Sequence, residues 1–185
     1  MKKAKLIVVL IVFLGMVGFM AVPQASAQVL DDMWFKLSCQ IKAVQQNTIT
    51  GGTAPFNLNF TAYLRFSYFG EELGIPLYFI NVWSRTSPGH WVITGNENPN
   101  PALPWTDQVF PDFGIQFYGE GHTYIISYIT PFVNNMLTTL FAQGEIFAGW
   151  NSAGNAVYGG INIQGQAIPE SQVPPAILHT ETIRK

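Results

Sequence analysis

The chain has little of what several classes of protein require. One cysteine among 185 residues excludes a disulfide-stapled scaffold. Nine basic residues against eleven acidic ones give a net charge of −2, so no basic patch for nucleic acid is expected. Hydrophobic residues make up 48% of the sequence and aromatic residues 14%, which is far too apolar for an intrinsically disordered chain. The composition therefore predicts a folded domain that does not bind nucleic acid.

The first 27 residues have the three parts of a secretory signal peptide of the bacterial Sec type. Three lysines stand within the first five residues, and an apolar stretch follows over residues 6–21. Small residues at 25–27 place signal-peptidase cleavage between Ala27 and Gln28. The apolar stretch is shorter than the roughly 20 residues of a transmembrane helix, and the sequence has no second one. We expect a secreted or periplasmic protein without a transmembrane helix, with residues 28–185 forming a single all-β domain.

The mature sequence is typical of β-strands from end to end, because apolar and polar residues alternate with period two. In the clearest case, Phe60 lies on the apolar face of its strand and Asn59 on the polar face. The predicted strands are Met33–Val44, Phe56–Phe69, Ile75–Ser84, Trp91–Thr94, Gly114–Tyr118, Thr123–Val133, Leu137–Trp150 and Ile161–Ile168.

Several of these strands are long, and the spacing of apolar residues gives no sustained helical period. The pattern predicts an antiparallel barrel of about eight strands, with a β-sandwich as the alternative. Within the strand ending at Trp150, that tryptophan is predicted on the apolar face, and Gly144 suggests a bulge or a barrel corner. The last ten residues are predicted to be a tail or an edge strand.

Motifs for catalysis and metal binding are missing from the sequence. His90, His122 and His179 do not have the spacing of metal ligands, and there is no nucleophile elbow or phosphate-binding loop. Cys39 lies on the apolar face of the first strand, where burial raises the pKa of a thiol. Glu145 is interpreted as a single solvent-facing carboxylate. We therefore predict no catalytic residue, metal ligand or cofactor, and the alternative is a hydrolase or isomerase whose site is assembled inside a barrel pocket.

One proline-rich segment, residues 95–112, interrupts the strand pattern. Long ordered loops on a rigid β scaffold often carry binding residues. Trp105, with Asp107 and Phe110 close by, is therefore the candidate binding site. Two interpretations stay open: the tryptophan plugs one end of the barrel, or it contacts a ligand.

Charged residues are only 11% of the chain, against about 25% in typical soluble domains, so Asn, Gln, Ser and Thr must supply much of the polar surface. Aromatic rings beside amides suit a glycan, and an apolar strand face suits a small apolar ligand. The sequence thus predicts a non-enzymatic barrel with a binding or interaction role. A small outer-membrane β-barrel is the alternative, although the sequence ends without a terminal aromatic strand. A hollow interior would favour a ligand inside the barrel, and a filled one an interaction role.

Overall fold

The computed structural model describes residues 32–72, 75–95, 100–101, 108–109, 113–119, 123–134 and 136–182. Ten strands in these residues form one antiparallel sheet. They are β1 (Met33–Gln46), β2 (Thr53–Glu72), β3 (Ile75–Ser87), β4 (His90–Gly95), β5 (Asn100–Pro101), β6 (Gln108–Val109), β7 (Phe113–Gly119), β8 (Thr123–Val133), β9 (Thr139–Trp150) and β10 (Ala156–Ile168). A 3-10 turn (Glu170–Gln172) and the helix α1 (Pro175–Thr182) follow β10. The predicted signal peptide and its cleavage site lie outside the described residues.

The sheet curls into a nearly closed barrel of eight strands, as the sequence predicts. Hydrogen bonds connect the strands in the order β4-β3-β2-β1-β10-β9-β8, and β7 pairs with the other side of β8. β7 also lies against β3 and β4, which brings the two ends of the sheet together. Here the backbone N–H of Tyr118 donates a hydrogen bond of 2.7 Å to Oγ of Ser84. The described strands are thus closed at this seam by a side-chain contact.

Apolar side chains fill the described part of the barrel interior. The register places Cys39 of β1 between Phe60 of β2 and Ile163 of β10, so the three side chains share the inner face. The buried core is Phe35, Leu37, Cys39, Ile41, Phe60, Ala62, Leu64, Phe66, Tyr78, Ile80, Val82, Phe117, Ile125, Val133, Leu140, Ala142, Ile146, Val157, Ile161 and Ile163. The apolar face predicted around Phe60 therefore packs the interior.

A bulge decides which face Trp150 occupies. The pairing of β8 with β9 shifts between Ile126 and Ser127, where the register passes from Ala148 to Ile146, so Phe147 is the extra residue of β9. One extra residue reverses the alternation beyond it. Trp150 consequently lies on the outer face, and its predicted inward position is wrong. The bulge lies at Phe147 and not at Gly144.

The C-terminal segment is helical, so the prediction of a tail or an edge strand is wrong. Pro175 occupies the first position of α1, where a residue without an N–H group costs no hydrogen bond. The helix has eight residues, too few for a helical period to stand out. Buried Ile177 packs on the outer face of the sheet against Trp34 and Trp83, so these tryptophans point outward and are still buried.

Candidate functional site

The predicted site residues Trp105, Asp107 and Phe110 lie outside the described residues, so this site stays a prediction. Two short parts of the same segment are described. β5 pairs with β3, and β6 pairs with β8. The segment predicted as a loop therefore adds hydrogen-bonded pairs to two strands of the barrel.

Two buried serines of the described interior make structural hydrogen bonds. Ser84 accepts the seam hydrogen bond, and Oγ of Ser127 donates a hydrogen bond of 2.7 Å to the carbonyl of Glu145. Burial raises the pKa of the Cys39 thiol above its usual range, so the thiol stays protonated and is a poor nucleophile. Among the described residues, no group of three His, Cys, Asp or Glu side chains could hold a metal ion.

The outer face of the barrel carries rows of uncharged polar side chains. The strand register sets two rows side by side across β2, β1, β10 and β9. We call them the amide rows: Asn59, Gln40, Asn162 and Gln143 form one, and Thr61, Ser38 and Gln164 form the other. All but half-buried Thr61 are exposed. The alternation of polar residues is visible in the sequence, but only the register shows that the residues are neighbours.

Two phenylalanines continue the second row. Phe141 of β9 lies opposite Gln164 on one side and opposite Phe132 of β8 on the other. The rings are 44% and 39% exposed, respectively. We call them the phenylalanine pair. Sequence analysis missed them, because nothing in a single strand places a ring beside the amides of the next strand.

Three depressions surround the phenylalanine pair on the outer face. A depression of about 660 Å³ lies between Phe141, Gln164, Ser38 and Thr61. A second, of about 410 Å³, is lined by Phe132 together with residues 143–145 and 160–162. Both phenylalanines line the third, of about 360 Å³. The rings thus form a ridge between hollows whose rims carry amides and hydroxyls, together with Lys36 in the first depression and Glu145 in the second.

Gly160 contributes to the second depression by lacking a side chain. It lies between Lys42 of β1 and Glu145 of β9 in the row next to the amides. A Cβ added there would meet only the carbonyl of Gly144, at 3.5 Å. A Cβ at this position therefore makes only an ordinary van der Waals contact.

A second aromatic group, made of exposed Trp150 and two half-buried tyrosines, lies where β9 ends. Tyr118, Tyr124 and Trp150 are aligned across β7, β8 and β9, with ring centroids 4.9 and 6.0 Å apart. The Tyr124 and Trp150 rings are stacked. Burial, with a smaller contribution from Tyr118, raises the pKa of Tyr124. Phe147 is 69% exposed on the same strand, so aromatic surface extends along much of β9.

Comparison of the chain with protein-family models, curated proteins and solved structures gave no match. The described residues include no helix that is both long and apolar enough to cross a membrane.

Proposed function

We propose that the chain is a secreted or periplasmic, non-enzymatic β-barrel protein that binds its partner on the outside of the barrel. One observation carries the proposal: the described interior is packed with apolar side chains, while exposed aromatic rings concentrate on β8, β9 and β10. A filled barrel leaves little room for the small apolar ligand considered from the sequence. Clustered apolar groups on a surface are typical of interaction sites.

The distribution of polar side chains supports a protein in water over the alternative of an outer-membrane barrel. Membrane barrels carry an apolar band outside and polar residues inside. Here the buried core residues point inward, and exposed Lys36, Gln40 and Lys42 of β1 point outward beside exposed amides of β10. The arrangement is the reverse of the one that a bilayer requires.

The proposed compartment rests on the signal sequence and agrees with the state of the cysteine. A single buried thiol cannot pair within the chain, and burial protects it from disulfide exchange in an oxidising compartment. Fractionation of cells expressing the full chain tests the location. We expect a mature protein that begins at Gln28, in the periplasm or the medium. Recovery in the outer membrane after carbonate extraction would contradict the proposal.

The second part of the proposal is tested by removing exposed rings. One double variant combines Phe132→Ser with Phe141→Ser, and the other combines Phe147→Ser with Trp150→Ser. Phe69→Ser is the matched control, because Phe69 is 60% exposed on β2, away from these strands. Co-sedimentation with a cell-envelope preparation measures association. At least one double variant should bind tenfold more weakly at an unchanged melting temperature, while the control binds like the wild type. Wild-type binding by both double variants, or no association of the wild type, would refute binding on this surface.

A further inference from the structure

We infer that the amide rows and the phenylalanine pair form a binding site for a neutral polysaccharide. The inference rests on the proposed function, since it names the partner of the same outer face. It combines three observations: side chains that both donate and accept hydrogen bonds, exposed rings beside them, and rows that contain no charge.

The hydrogen-bonding groups match the hydroxyls of a sugar. Each Asn or Gln amide offers two N–H donors and a carbonyl acceptor, so one side chain can serve two neighbouring hydroxyls. Gln143 and Asn162 are exposed and directly opposite each other on β9 and β10. Gln164 stands one row further along β10, next to Phe141. Strands in a sheet are about 4.8 Å apart, so a row from β2 to β8 spans about 19 Å, which suits several sugar units in a line.

The phenylalanine pair supplies an apolar surface for the C–H face of a sugar ring. An aromatic ring with one face in water is stabilised when an apolar group of similar width covers that face. Phe132 and Phe141 lie at the end of the row of Gln164, and depressions flank them on both sides. A sugar stacked there would have the amides of β9 and β10 within reach of its hydroxyls.

The charges around the rows favour a neutral ligand. The amide rows carry no ionised group, and the charges beside them are of both signs: Lys36 lines the first depression, Glu145 lines the second, and Lys42 lies next to Gly160. The carboxylate would repel a polyanion, and the lysines would repel a cationic peptide. An uncharged polymer is repelled by neither. The amide rows are less suited to the centre of a protein interface, because such centres are enriched in aromatic residues, Met and Arg, and the rows contain none of these.

The test is direct binding of the purified mature protein to neutral glycans. The probes are soluble dextran, mannan and mixed-linkage glucan, insoluble cellulose and chitin, and alginate as the charged control. We expect binding to at least one neutral glycan that is unchanged between 50 and 500 mM salt, because no counterions are released. Binding to none of them, or to alginate alone, would overturn the inference.

Variants locate the site on the barrel. Gln143→Ala/Gln164→Ala and Phe141→Ala should each weaken glycan binding at least tenfold at an unchanged melting temperature. Gly160→Leu adds a side chain to the lining of the second depression and should weaken binding too, since its Cβ makes only an ordinary contact and the backbone does not have a positive φ. Gln172→Ala is the matched control, an exposed amide in the C-terminal segment. Equal binding by all four variants would overturn the inference.

Two further readouts separate this inference from the proposed function. If the protein binds no neutral glycan but loses envelope association in the ring variants, the sugar assignment fails and the outer-face function stands. If neither binding is seen, the proposed function fails as well. Sedimentation velocity addresses a second copy as the occupant: a dimer abolished by Phe141→Ala would assign the face to self-association and overturn the inference.

Discussion

At the scale of single residues, the two-residue period of the strands decides which side chains are buried. Phe60 is only 6% exposed, and its ring meets that of Phe117 edge to face with centroids 5.9 Å apart. Asn59, one residue earlier, is exposed on the outer face. Adjacent residues of the same strand should therefore differ greatly in what their side chains contribute to stability.

Phe60→Ala should lower the free energy of unfolding by about 3–5 kcal/mol, because it removes a ring from a packed interior. Asn59→Ala should change it by less than about 0.5 kcal/mol. Urea denaturation of both variants measures the difference. Similar losses at the two positions would mean that the register of β2 is different from the one described.

Cys39 should make the protein less stable in alkali. The pKa of the thiol is raised by burial in the folded chain, so above pH 9 the unfolded chain loses its thiol proton first. The stabilising contribution is complete below pH 9 and is lost as the pH rises, by up to about 1.4 kcal/mol per pH unit. Denaturation of the wild type and of Cys39→Ala between pH 8 and 10.5 isolates the effect. If the free energy of unfolding fell equally with pH in the two proteins, the prediction would be contradicted.

Residue burial could be predicted from the sequence where one strand face settles it. The inward positions of Phe60 and Cys39 follow from alternation within their own strands. Trp34 could not be placed in this way, because it occupies an outward position and is buried by a helix from the other end of the chain. Burial from outside the barrel depends on a tertiary contact that leaves no local pattern.

At the scale of elements, α1 covers an aromatic cluster on the outside of the sheet. The rings of Trp34 and Trp83 lie 4.9 Å apart, and the guanidinium of Arg65 lies 5.5 Å from the centre of the Trp34 ring. Val173 and Ile177 pack against this cluster from the C-terminal segment. The segment therefore adds a second, smaller core to the barrel.

Ile177→Ala should lower stability by about 2–5 kcal/mol, because the side chain is fully buried beneath the helix. His179→Ala is the control, since His179 is exposed on the same helix. Tryptophan fluorescence during thermal unfolding measures the melting temperature of both variants, with a signal from all five tryptophans. Equal melting temperatures for the two variants would show that α1 is not docked in solution.

The seam between β3 and β7 should depend on one hydroxyl. Ser84→Ala removes the acceptor for the N–H of Tyr118 and should cost about 1–3 kcal/mol. Ser67→Ala on β2 serves as the control. Hydrogen exchange should accelerate at the Tyr118 amide in the Ser84 variant and stay unchanged in the control. Unchanged exchange at Tyr118 in both variants would contradict this role.

The bulge in β9 shows why strand prediction from sequence is incomplete. The strand character of β9 was readable from the sequence, but the bulge at Phe147 was not, because a bulge depends on how two strands pair. That one residue moves Trp150 to the outer face, beside Tyr124. Part of the exposed aromatic surface thus follows from an irregularity that alternation alone cannot show.

At the scale of the whole molecule, the barrel class followed from strand number, strand length and the absence of a helical period. The sequence did not predict which strands are neighbours in the sheet, and the candidate site depends on that order. Gln40 and Asn162 are far apart in the sequence and directly opposite in the sheet. A surface assembled from four strands has no motif in any one of them, so the amide rows required the structure.

Removal of β10 should unfold the molecule, because β1 and β9 both pair with it. A chain ending at residue 155 should show no cooperative unfolding by circular dichroism. A chain ending at residue 168 keeps every strand and loses only the C-terminal segment, so it should still unfold cooperatively at a lower temperature. Cooperative unfolding of the shorter chain would contradict the described pairing.

The pairing of β1 with β10 has a consequence during synthesis, because its two strands are made at different times. β1 is the first of these strands to leave the ribosome, and β10 is the last. Until β10 arrives, one edge of β1 keeps unpaired backbone groups, and such an edge can pair with another chain. The pairing of β1 with β10 must then join segments that are far apart in the sequence, and such pairing is slow. A nascent copy of this protein is therefore open to pairing with a second copy until its final strand is made.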